Sequence, residues 1–119
     1  MPKRGDDFPS AGYVPSRGDI VHLNWAPSVG HEQSGPHYGL VLSQDAYNVG
    51  TGLVIVSPIT SKSGKLSGFE LPVRAGRVNG VVILSEIRTL DYQARSVQYE
   101  DRAPQDTVSE AIRRIRIVL

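Results

Sequence analysis

Two short stretches of this sequence concentrate side chains suited to acid–base or phosphate chemistry. The first, Gly30-His31-Glu32-Gln33-Ser34-Gly35-Pro36-His37, sets a carboxylate, an amide and two imidazoles on and beside one loop, directly before an apolar run. Loops carry function when a rigid element fixes one end of them, and the run that follows reads as a strand able to do so. The second stretch, Thr60-Ser61-Lys62, closes another apolar run that begins at Leu53. On composition alone the first stretch is more often a solvated polar loop and the second a plain strand end, so neither identifies a reaction.

Several other chemistries lack their residues. The chain has no cysteine, which removes thiolate nucleophiles, disulfides and thiolate metal sites. It contains no Walker-type phosphate loop, no HExxH and no GxSxG. His22, His31 and His37 are not spaced like a zinc site, so metal-free chemistry with no cofactor is expected. Lys and Arg number 13 against 12 Asp and Glu, a formal charge of +1. Affinity for nucleic acid must then come from local clustering rather than from a global field.

The elements that must position these groups follow from hydrophobic period. At 119 residues the chain is one domain in size. No apolar run approaches the length of a bilayer span, and the N-terminus has no apolar segment behind its basic residues; a cytoplasmic location is expected. Residues 1–15 mix Pro, Gly, Ser and charge and read as a flexible tail, leaving 16–119 as the folded unit. Ile20 to Trp25 alternates as a half-buried strand would. Pro27 to Pro36 is a long loop, and His37 to Ser43 a buried strand. Asp45 to Thr51 is a short helical turn or loop. Leu53 to Ile59 is a buried strand whose Pro58 suggests an edge or a bulge.

Further on, Ser61 to Gly68 is a polar connection and Phe69 to Val73 alternates as a strand. Gly80 to Leu84 is a buried strand, Ser85 to Asp91 a short helical turn, and Arg95 to Glu100 a last strand. Val108, Ile112, Ile115 and Leu119 then recur at helical spacing after Pro104. Roughly five or six short strands and one terminal amphipathic helix predict a mainly β fold, a small bent sheet or barrel packed by that helix. Exposed strand edges and the apolar helix also make a homodimer plausible.

Taken in order, the pieces resemble the MazF/PemK toxin family over nearly the whole chain. The matching segments are RGDIV (Arg17 to Val21), an aromatic before Pro at Trp25 to Pro27, GHEQSG (Gly30 to Gly35), LVLS (Leu40 to Ser43) and Tyr47-Asn48. They continue with Pro58-Ile59-Thr60, GFELPV (Gly68 to Val73), GVVILSEIRTLDYQAR (Gly80 to Arg95) and the terminal helix. Each is weak alone; their shared order and nearly gapless spacing are specific. The resemblance implies an SH3-like barrel of the CcdB/PemK kind with short helices and a C-terminal α-helix, and a homodimer. It also implies sequence-specific cleavage of single-stranded RNA without a metal, to 2′,3′-cyclic phosphate and 5′-hydroxyl ends. A partner antitoxin with an acidic, disordered tail belongs to the same picture.

In that family the catalytic tasks fall largely on an arginine after the EQ-x-G segment and a threonine after the later proline. Thr60 matches the threonine. His37 stands where the arginine is expected, and Tyr38 where a proline usually follows. An imidazole ordinarily titrates near pH 6.5, so it exchanges protons near neutrality more readily than guanidinium, although it holds phosphate less well. His37 is therefore expected as general acid or base and Thr60 as a holder of the phosphate. Trp25 is a candidate to stack on a base or, equally, a buried aromatic. Glu32 and Gln33 are candidates to read base edges or orient the loop, and Lys62, Lys65 and Arg88 to contact phosphates. Arg113, Arg114 and Arg116 read as the wet face of the helix. The alternatives on the same fold are a non-catalytic gyrase poison and a catalytically weakened homologue. An SH3-like peptide adaptor is disfavoured by an aromatic content of 7%.

Overall fold

Ile20 and Val21 are neighbours in the chain and both are fully buried, which a strand with one wet face does not allow. The explanation is a sheet with a core on each side. In the computed structural model, which describes residues 12–27, 35–61 and 68–119, β1 (Asp19–Asn24) is followed by β2 (Pro36–Val41), α1 (Asp45–Thr51) and β3 (Leu53–Thr60). Then come β4 (Glu70–Ala75), β5 (Val78–Ile83), a 3-10 turn (Leu84–Glu86), β6 (Arg88–Asp91), β7 (Gln98–Arg102) and α2 (Gln105–Val118). The seven strands form one sheet in the order β4-β5-β3-β2-β1-β7, with β6 also on β3, and the pairing is antiparallel throughout. The molecule is thus mainly β, a curled sheet with short helices and a C-terminal helix.

One core contains Ile20, Leu40, Ile59 and Val82 and is closed by Val108, Ala111 and Ile115 of α2. The other holds Val21, Leu23, Trp25, Val41, Val54, Val56, Leu90 and Tyr92. Being covered on both faces, the central strands read as continuous apolar runs rather than alternations. Pro58 lies within β3 and not at an edge. It falls where β3 leaves β6, paired through Leu53 to Val56, and meets β5 at Ile59 and Thr60. A residue without an N–H is tolerated at such a change of partner.

Four expectations need correction. The tail does not extend to residue 15: Tyr13 is 2% exposed, and its hydroxyl donates to Asp19 Oδ2 at 2.6 Å. Asp19, wholly buried, also accepts from the Ser16 amide at 2.9 Å and from Arg102 at 2.7 Å, and this buried carboxylate holds residues 13–16 to the sheet. The remainder of the expected tail, 1–11, lies outside the described residues. The helical turn expected over Ser85 to Asp91 covers only its start, since Arg88–Asp91 pairs with β3 as β6. The last strand starts three residues later than expected and ends two later, because the Asp91 carboxylate accepts from the amides of Gln93 and Ala94 and shapes a turn there. Leu119 is 90% exposed and not part of the buried helical stripe, which ends at Ile115. Among the described residues no helix is long and apolar enough to cross a membrane.

Candidate active site

The β2–β3 ladder decides where the two leading candidates stand. Tyr38 lies opposite Ile59, Gly39 opposite Pro58 and Leu40 opposite Ser57; His37 and Thr60 are the next residue along each strand, just past the last paired positions, and Thr60 pairs with Val81 of β5. Alternate residues along a strand share a face. Val41 and Val56, in step with His37 and Thr60 along their strands, belong to the second core. His37 and Thr60, both half-buried, therefore stand at the rim of that core. Gly80 lets β5 close against the same point, since a Cβ there would come within 2.5 Å of the Thr60 carbonyl oxygen. His22 and Tyr38 occupy the opposite face, with ring centroids 5.4 Å apart in an edge-on contact.

Trp25 is 0% exposed, which corrects the idea that it stacks on a base and selects the buried alternative. Its amide donates to the Gly35 carbonyl at 2.9 Å, and its indole Nε1 donates to the His37 carbonyl at 3.3 Å. The ring packs against Gly39, where a Cβ would lie 2.8 Å from Trp25 Cζ2 and 2.6 Å from Val56 Cγ2. Any side chain at position 39 displaces the indole.

Arg88 sits opposite Val56 in the β3–β6 pair. Its guanidinium lies over the Trp25 ring, 5.9 Å from the centroid, and donates to the carbonyls of Trp25 and, at 3.1 Å, Pro27. β6 thus directs Arg88, expected as a phosphate contact, at the backbone of the chain leaving β1. Arg95, which sequence reasoning missed, donates to the carbonyls of Asn24 at 3.0 Å and Ala26 at 2.6 Å. Nothing in its sequence context, a turn after β6, marks it out. Glu32, Gln33, Lys62 and Lys65 lie outside the described residues.

Away from this site, α2 and the sheet frame a mostly apolar groove of about 460 Å³, lined by aliphatic side chains such as Ile55, Ile112 and Leu119 and also by Arg17, Thr89 and Arg116. Arg114 is not simply on the wet face of the helix, since it donates to the Gly68 and Glu70 carbonyls and ties α2 to the start of β4.

Residues 16–119 match the model of the PemK-like, MazF-like toxins of type II toxin–antitoxin systems. The chain belongs to this family. Among MazF/PemK relatives, the endoribonuclease toxin ChpB of Escherichia coli K12 is 37% identical over 108 residues, 87% of this chain and 92% of ChpB. The endoribonuclease PemK of Escherichia coli is 32% identical over 107 residues, 87% of this chain and 80% of PemK. In three dimensions, MazF of Deinococcus radiodurans superposes with a TM-score of 0.82 at 38% identity, covering 89% of this chain and 96% of that one. A MazE–MazF structure from the same organism superposes at 0.75 with 34% identity, covering 89% and 95%. The family match starts at Ser16, so Tyr13, which holds Asp19, lies just ahead of it.

Proposed function

We propose that this chain is an endoribonuclease toxin that cuts single-stranded RNA by attack of a ribose 2′-oxygen on the neighbouring phosphorus, with no metal ion. A bond forms between the 2′-oxygen and phosphorus as the bond to the 5′-oxygen breaks, giving a 2′,3′-cyclic phosphate and a 5′-hydroxyl. The 2′-hydroxyl must lose a proton, the departing 5′-oxygen must gain one, and the phosphoryl oxygens carry extra negative charge in between. His37 is the group that exchanges a proton. The Thr60 hydroxyl donates a hydrogen bond to a phosphoryl oxygen. What supports this reading is the β2–β3 register, which pairs Tyr38 with Ile59 and leaves an imidazole and a hydroxyl 23 positions apart in the chain as the next residue on each strand, at the rim of one core.

Glu32, Gln33, Lys62 and Lys65, adjacent to these two residues in sequence, are the proposed contacts to bases and phosphates. The names of the relatives, endoribonuclease toxins, support the substrate class, and the MazE–MazF neighbour supports a partner antitoxin. The antitoxin's acidic, disordered tail would order itself across the site on binding. The apolar groove beside α2 supports a homodimer, and the protein would act in the cytoplasm.

The test is digestion of a long single-stranded RNA by the purified chain, with and without excess EDTA, followed by mapping of cut sites and chemical analysis of the ends. Cyclic-phosphate ends, an unchanged rate in EDTA and a loss of about a hundred-fold or more for His37→Ala are expected. Intact RNA would remove the nuclease reading, and undiminished turnover of His37→Ala would remove His37 from the chemistry.

A further inference from the structure

We infer that Arg88 and Arg95 form a clamp that positions His37 through Trp25, and that neither acts by holding RNA phosphate. The inference rests on the reading of His37 given above. Two arginines from one neighbourhood, β6 and the turn after it, take the carbonyls of four consecutive residues: Arg95 those of Asn24 and Ala26, Arg88 those of Trp25 and Pro27. Planar guanidinium groups offer several donors in a fixed fork, which suits them to hold a run of backbone oxygens in one arrangement.

The clamped segment is connected directly to the proposed catalytic strand. Trp25 is held from one side by the Arg88 cation over its ring and abuts Gly39 of β2 on the same residue face as His37. Its amide and indole then bond to the carbonyls of Gly35 and His37. The line of contact therefore runs from β6 through Trp25 to the backbone of His37. A displacement of about an ångström at a catalytic group can slow a reaction by a hundred-fold, so a loosened Trp25 would act on rate even though Arg88 and Arg95 touch no reacting atom.

The clamp and a phosphate contact make opposite predictions. Arg88→Met and Arg95→Met should each lower kcat by about ten-fold or more. Binding of an uncleavable 2′-O-methyl RNA should keep the salt dependence of the parent protein. A phosphate contact would instead leave kcat nearly intact, raise KM and reduce the salt slope by about 0.7. Arg88→Lys separates the two again. A lysine restores a phosphate contact, but as a point donor it cannot span the Trp25 and Pro27 carbonyls and should restore kcat only in part. The lysine variant also answers if a methionine variant does not fold. Unchanged kcat, or a reduced salt slope, would overturn the clamp. His37→Ala is assayed in parallel: if it turns over normally, the reading of His37 has failed, whereas an inactive His37→Ala beside fully active arginine variants overturns the clamp alone.

Discussion

At the scale of single residues the molecule depends on groups that leave room as much as on groups that react. Gly39 has no role of its own in chemistry, yet it seats the indole that bonds to the His37 carbonyl. Gly39→Ala should cost about 1–3 kcal/mol of stability, as other overpacked cores do, and should also slow RNA cleavage. Urea unfolding and a cleavage assay on the same preparation check both, and an unchanged midpoint would mean that the ring is not seated there. The strand ends that carry His37 and Thr60 were legible in the sequence, because polar side chains beside apolar runs stand out. Arg88 illustrates what was not. A lone cation among exposed residues looks like a phosphate contact, and only the path of β6 reveals that carbonyls 61 and 63 positions earlier receive its donors.

At the scale of elements, α2 is held by charge as well as by its apolar stripe. Glu110 accepts two bonds from Arg113, at 3.0 and 2.7 Å, and one from Arg114 at 2.6 Å. These hydrogen bonds, from Arg113 first and Arg114 next, lower its pKa to about 2 from 4.5. A carboxyl whose folded pKa is depressed stabilises the fold above its unfolded pKa, and that contribution disappears as pH falls through the folded value. Stability should therefore drop between about pH 4.5 and about pH 2, by a modest amount because the groups are exposed. Glu110→Gln should flatten that part of the curve, which thermal unfolding across the range will show; an unaltered slope would exclude Glu110 as its source. The helix itself was readable from its period, as were the strands covered on both faces. The short β6 was not, since four residues give too few periods to separate a strand from a turn. The boundary of the tail was missed for a different reason: Tyr13 is held by a bond to the buried Asp19 carboxylate and by packing in the second core, edge-on against Tyr99 of β7, which no local pattern announces.

At the scale of the whole molecule, two regions with different chemistry lie apart: the polar rim at His37 and Thr60, and the apolar groove between α2 and the sheet. Leu119 and the aliphatic part of that groove leave apolar surface in water between Arg17 and Arg116, and a second copy of the chain would cover it. Leu119→Glu places a charge on a residue that is 90% exposed, so it should shift sedimentation toward the monomer while leaving the unfolding temperature of the monomer unaltered. A dimer that persists would assign the interface elsewhere. The proposed reaction, in contrast, requires only that an imidazole from β2 and a hydroxyl from β3 act on one phosphodiester. The most direct measurement is the single-turnover cleavage rate of His37→Ala, Thr60→Val and the double variant on one RNA. Residues that work as a unit are strongly non-additive, so the double variant should be no slower than the slower single variant. Losses that multiply independently, or a His37→Ala rate equal to that of the parent, would contradict the account.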